Sequence, residues 1–236
     1  MDPRASSATA LRPPRMDETL VILVRHGEST WNTEHRFQGQ TEGVPLSPLG
    51  QEQVQSVARW LSTHDLGTVH IYSSDMLRAR QTAEAIAQEL GVTVEYTPSL
   101  REMNLGAWQG LTRDQVNARW PGELDARHLD IENHRVPGGE SGAEIRERAL
   151  GFYTELLSKH RGDTVILVSH GGTLAVLRSA IHDWNLNEAW VANRTRLPNT
   201  GVTALRYHHS TGTHELVLSA SVAHRDGKEA RKGDAE

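Results

Sequence analysis

Apolar and polar residues follow one another in blocks whose period switches between that of a strand and that of a helix. Leu20 to Val24 is an unbroken apolar run rich in branched residues, the pattern of a strand buried on both faces. Pro48 to Leu61 places Val54, Val57, Ala58 and Leu61 on one helical face, with Ser47 as N-cap and Pro48 at the first position. Val69 to Tyr72 is a short strand, Asp75 to Leu90 a helix stopped by Gly91, and Val92 to Tyr96 another strand. Thr112 to Trp120 is a short helix ended by Pro121. Ser141 to His160 is a long helix, with Ser141 and Glu144 in capping-box spacing. Thr164 to Val168 is a strand and Gly172 to Ile181 the helix after it. Val202 to Tyr207 and His214 to Ser221 form a closing strand pair around a Ser-Thr-Gly turn. This alternation predicts an α/β fold, a mostly parallel sheet with helices on both faces. Asp125 to Pro137 breaks the pattern: it is polar, short of apolar anchors, and reads as a long loop or small insertion.

Composition narrows the function. The chain has 236 residues, 37% of them hydrophobic, and a net charge of -5. Nothing global attracts nucleic acid or an anionic membrane, so any anion site is a local pocket. The absence of cysteine excludes disulfides, thiolate catalysis and cysteine-bound zinc. It fits a reducing compartment, and a cytoplasmic location is expected. No apolar stretch approaches the roughly 20 residues of a membrane helix. Met1 to Arg15 lacks the apolar core of a secretory signal, and Met16, just before the first strand, could itself start translation. His224 to Glu236 is dense in charge and reads as solvated disorder.

Two phrases carry the candidate chemistry: Arg25-His26-Gly27-Glu28-Ser29 and Ser169-His170-Gly171-Gly172. Each delivers a histidine from the end of a predicted strand, the edge at which open α/β sheets bind ligands. A neutral imidazole can attack phosphorus when one ring nitrogen is free and the other is held. Phosphoryl transfer then needs positioning and cationic stabilisation. Arg25, Arg78 at the start of a helix, and a protonated His170 supply the cations. Glu102, in Leu100-Arg101-Glu102-Met103, supplies a general acid and later a base for water. His26, His170 and Glu102 could also form a two-histidine, one-carboxylate metal triad, but the two arginines would repel a cation there. A non-enzymatic phospho-ligand binder is a further alternative, against which the retained Glu102 and both histidines speak.

Together these residues resemble the histidine phosphatase superfamily, whose first-known members are the cofactor-dependent phosphoglycerate mutases. The likeness runs from about Leu20 to Ser221. Arg25-His26-Gly27 is similar to the signature triplet, with His26 as the phosphorylated residue. Asn32 resembles a phosphate-pocket asparagine, and Gln38-Gly39 falls in a pocket-bordering loop. Arg78, followed by Ala79 and Thr82, matches the second pocket arginine. Glu102 matches the proton donor, His170-Gly171 the second histidine and its glycine, and Gly138-Gly139-Glu140-Ser141 a motif of the phosphatase branch. The resemblance implies a phosphoglycerate mutase-like three-layer α/β/α sandwich, no metal, no cofactor and a phosphohistidine intermediate.

The departures favour water over a second substrate as phosphoryl acceptor. The stretch Gln40 to Leu46 is one residue longer than usual, with Glu42 in place of aspartate. Arg113, Arg119, Arg127 and Arg135 stand singly where mutases carry an adjacent arginine pair, and Leu174 replaces a polar residue. The expectation is therefore a phosphomonoesterase of a small phosphorylated metabolite that releases inorganic phosphate, with a mutase as the alternative. The expected organisation is a disordered extension over 1–17, a single domain over 18–222 with 103–140 as insertion or lid, and a disordered tail over 223–236. The closing strands could also serve as a homodimer edge.

Overall fold

A computed structural model of the chain describes residues 11–225. The elements run β1 (Glu18–Arg25), α1 (Thr30–Thr33), α2 (Pro48–Ser62), β2 (Val69–Ser74), α3 (Leu77–Leu90), β3 (Val94–Thr97), α4 (Arg113–Arg119), α5 (Glu123–Leu129), α6 (Gly142–Lys159), β4 (Thr164–Ser169), α7 (Gly171–Ile181), α8 (Leu186–Val191), β5 (Val202–His208) and β6 (Thr213–Ser221). Local signals set many of the boundaries. The Ser47 side chain accepts from the Gly50 amide at the start of α2, Gly91 closes α3 in the left-handed conformation, and Ser141 and Glu144 form the capping box of α6.

The strands form one sheet in the order β3-β2-β4-β1-β5-β6. β3, β2, β4 and β1 pair in parallel, while β5 and β6 add antiparallel. Side chains of β1 alternate between two cores. Leu20, Ile22 and Val24 pack with Val57 and Leu61 of α2 and Ala83 and Ile86 of α3. Val21 and Leu23 pack with Tyr153 and Leu156 of α6 and Leu174 and Leu177 of α7. This is the three-layer α/β/α sandwich with a mostly parallel sheet. Among the described residues no helix is long and apolar enough to cross a membrane.

Three expectations need correction. Residues 11–17, expected in a disordered extension, are packed: Leu11 is buried in the first core, and Arg12 donates to the Glu18 carboxylate at 3.1 and 3.3 Å. The remainder of the extension lies outside the described residues. His224, expected in a disordered tail, is buried and bonds Thr200 Oγ1 at 3.0 Å, and its carbonyl accepts from Ser56. The tail beyond 225 is likewise outside the described residues. The stretch 125–137 is not an unanchored loop. α5 runs into it, and Ile131 and Val136 join Leu124, Met103, Trp108 and Ile145 in a third core. Two apolar residues suffice because that core is built mainly by neighbouring segments.

Glu18 shows what the N-terminal segment does. Burial pushes its carboxyl up, but Arg12, the Arg15 amide and Arg206 outweigh this and hold it at about 2, against 4.5 for the free group. A carboxyl depressed on folding stabilises above its unfolded value, and that stability is lost as pH falls from 4.5 toward 2. Starting the chain at Met16 removes Leu11, whose burial is worth about 2 kcal/mol, together with Arg12 and the Arg15 amide. The shortened chain is predicted to melt about 5 °C lower at neutral pH and to lose less stability than the full chain between pH 4.5 and 2. Calorimetry across that range checks both. Equal melting at neutral pH would contradict the packing role of this segment.

Candidate active site

The site begins with a register. β1 and β4 pair in parallel with Arg25 opposite Ser169, so the next residues, His26 and His170, leave adjacent strands side by side. Their rings lie 5.0 Å apart between centroids. Both are buried, at 2% and 0% exposure.

His26 is held as a nucleophile would be. Its Nδ1 lies 2.7 Å from the Gly27 carbonyl. A carbonyl only accepts, so Nδ1 carries the proton and Nε2 keeps its lone pair. The Gly27 amide donates to Thr82 Oγ1 at 3.1 Å, and Asn199 Nδ2 donates to the His26 carbonyl at 3.0 Å. Residue 27 must be glycine: a Cβ there would lie 2.8 Å from both the Gly50 carbonyl and a Val54 methyl. Burial, then the charges of Arg78 and Arg25, hold His26 well below its ordinary 6.5; the bond to Gly27 opposes them. The imidazole is neutral at physiological pH.

Arg78 is the buried cation of the pocket. One terminal nitrogen donates to the Gly39 carbonyl at 2.8 Å, while Nε and the other terminal nitrogen have no partner. Unpaired buried donors of this kind suit an anion. Burial lowers Arg78 to about 10, Glu102 opposing and Arg25 adding to the shift, so it stays charged. Arg25 donates to the Leu197 carbonyl at 2.9 Å and lies against the Gly171 backbone. His170 Nε2 is 2.8 Å from Ser74 Oγ, and its buried Nδ1 has no partner. Burial, followed by Arg78 and His26, holds His170 far below its usual value. This direction runs against the expectation of a protonated His170. With Ser74 donating to Nε2, the neutral ring still offers Nδ1–H.

Glu102 is delivered by the loop after β3 and seated on the start of α7. Its carboxylate accepts from the amides of Gly172, Thr173 and Met103 at 3.0, 3.0 and 2.8 Å. Helix N-termini suit a carboxylate. A Cβ at Gly172 would come within 2.7 Å of Glu102 Oε1, which is why the second glycine is needed. Arg148 braces this loop by donating to the Glu102 carbonyl and to Glu140, the acid of the Gly138-Gly139-Glu140-Ser141 stretch.

Arg25, His26, Asn32, Gln38, Gly39, Arg78, Glu102 and Gly171 all line one solvent-open pocket, with His170 beside it. Asn32 Oδ1 accepts from the Ser29 amide and hydroxyl, which leaves its NH2 as the donor for the pocket. Gln38 is fixed through Ser29 Oγ at 2.9 Å. Among the described residues, the longer stretch after Gly39 contributes no lining; Gln40 turns inward to the Glu102 carbonyl. Leu174 is in the core. Sequence reasoning missed the far wall: Arg36, Phe37, Met103, Leu105, Arg127 and Trp190. Arg127 had only the signature of an isolated charge. It lies over Trp108 and Trp190, with its Nε buried and unpartnered.

A sheet-edge pocket with two neutral histidines, two guanidinium groups and a carboxylate has the chemistry to hold a phosphoryl group. The profile of the histidine phosphatase superfamily (branch 1) matches residues 21–219, and the chain belongs to that family. It is 38% identical over 195 residues, 80% of this chain and 86% of the relative, to a probable phosphoglycerate mutase GpmB of Escherichia fergusonii. Among solved structures, a mycobacterial glucosyl-3-phosphoglycerate phosphatase complexed with VO3 superposes with a TM-score of 0.76 at 31% identity, over 86% of this chain and 99% of that one. A phosphoserine phosphatase from Entamoeba histolytica, in complex with 3-phosphoglyceric acid, gives 0.74 at 26% identity, over 87% and 98%.

Arg78→Met keeps an apolar stem in the buried position and removes the free donors. Inorganic phosphate is predicted to bind about 100-fold more weakly to this variant, the worth of one charge-assisted pair. Titration calorimetry alongside circular dichroism reads affinity and fold separately, and unchanged affinity would refute the assignment.

Proposed function

We propose that the chain is a phosphomonoesterase that works by double displacement through phospho-His26, without metal or cofactor. The observation that carries this is the state of His26: neutral, with Nδ1–H tied to Gly27 and Nε2 free beside the Arg78 cation. Nε2 attacks phosphorus, forming the P–N bond as the P–O ester bond breaks. Glu102 enters this step in its acid form and gives its proton to the leaving oxygen, becoming the carboxylate that later serves as base. Arg25, Arg78, Asn32 and His170 hold the phosphoryl oxygens, whose charge grows in the transition state. Water then attacks phospho-His26, loses a proton to Glu102, and the P–N bond breaks to release inorganic phosphate and neutral His26. The similarity to two phosphatases of known structure supports hydrolysis.

A mutase is the second reading, favoured by the curated relative's name and by the added cation Arg127 in the pocket wall. Arg127 also suits substrates with a second acidic group. A panel of phosphomonoesters with and without a carboxylate, phosphoglycerates included, separates these outcomes. Expected are free phosphate as the main product, a lower KM for carboxylated substrates, and full activity in excess chelator. Isomerised phosphoglycerate as the main product would establish the mutase, and loss of activity in chelator would overturn the metal-free mechanism. His26→Ala is expected to abolish both turnover and covalent labelling; full activity in that variant would sink the mechanism.

A further inference from the structure

A two-histidine, one-carboxylate set does exist in this chain, at the opposite end of the sheet from the pocket. His70 is the second residue of β2, whose far end carries Ser74, the partner of His170. His160 caps the carboxyl end of α6, and Asp163 lies in the turn that leads into β4. The donor atoms of these three residues all lie within 4.8 Å of one another. His70 Nε2 is 3.1 Å and His160 Nδ1 is 3.7 Å from the same oxygen, Asp163 Oδ2. The imidazole rings are 4.1 Å apart between centroids.

We propose that His70, His160 and Asp163 form a binding site for a borderline divalent cation of the zinc class, remote from the catalytic pocket. Metal–ligand bonds of about 2.0–2.2 Å at near-tetrahedral angles place ligand atoms roughly 3.3 Å apart. The two distances to Asp163 bracket that value. Imidazole nitrogen with one carboxylate selects zinc-like ions over magnesium or calcium, which prefer all-oxygen shells. His160 has the outer partner that ligating histidines need: its Nε2 lies 2.8 Å from the buried Tyr72 hydroxyl, which fixes the ring and leaves Nδ1 facing the carboxylate. His160 is buried, while the His70 and Asp163 side chains keep 34% and 27% of their exposure, so water can complete the shell from the open side. The bound ion would tie β2, α6 and the turn before β4 together at the amino edge of the sheet. Its role is stabilisation of the fold, and it takes no part in phosphoryl transfer.

The test uses the untagged full chain, stripped of metal, in phosphate-free buffer. Zn2+ is titrated calorimetrically and the melting temperature is followed at saturating Zn2+. Expected are one Zn2+ per chain and a rise of about 5 °C, both lost in His70→Ala and in Asp163→Ala and both kept in His26→Ala. Circular dichroism of each variant confirms that it is folded. The proposal is overturned if the wild-type chain binds no Zn2+, if His70→Ala and Asp163→Ala bind it as the wild type does, or if His26→Ala alone loses it.

Discussion

The parallel pairing of β1 with β4, with Arg25 opposite Ser169, is the constraint on which the site rests. The two imidazoles lie 5.0 Å apart because adjacent strands of one sheet, ending at the same level, put them there. That level is enforced from both faces. Each β1 residue from Leu20 to Val24 is buried, alternately against α2 and α3 or against α6 and α7. A slip of one residue would exchange the two cores, so burial itself protects the alignment of His26 with His170.

On that frame the electrostatics are arranged by what is left unpaired. Arg78 keeps free donors in a buried position, and His170 keeps a free Nδ1. Such groups cost stability when left unpaired, and in the proposed mechanism a phosphoryl group would offset that cost. Burial, with the charges of Arg78 and Arg25, suppresses protonation of His26 and leaves the Nε2 lone pair available. Glu102 is separated from these roles because its carboxylate is fixed by α7 amides instead of being drawn into an ion pair with Arg78.

Much of this was legible in the chain because it is local. Ser47, Gly91 and the Ser141–Glu144 box mark helix ends through bonds to their own neighbours, and the His-Gly phrases follow their strands directly. What was not legible depends on distant partners. α5 and α8 are short helices held by tertiary packing, and short helices carry little signal of their own. Arg127 joins the pocket only because α5 folds back over Trp108 and Trp190. Leu11 and His224 sit in polar surroundings along the chain, yet each fills a buried position that a composition average hides. The His70–His160–Asp163 cluster draws on a strand, a helix end and a turn that come together only in the folded sheet.

The central claim is that the bond between His26 Nδ1 and the Gly27 carbonyl selects Nε2 as the attacking atom. The most direct measurement is to quench the protein in alkali during turnover of a reactive phosphomonoester. Phosphorus NMR of the denatured chain, with peptide mapping, then locates the trapped phosphoryl group. The expected result is a single phosphohistidine at His26, linked through Nε2. Phosphate on Nδ1 of His26, on His170 or on a carboxylate, would contradict it.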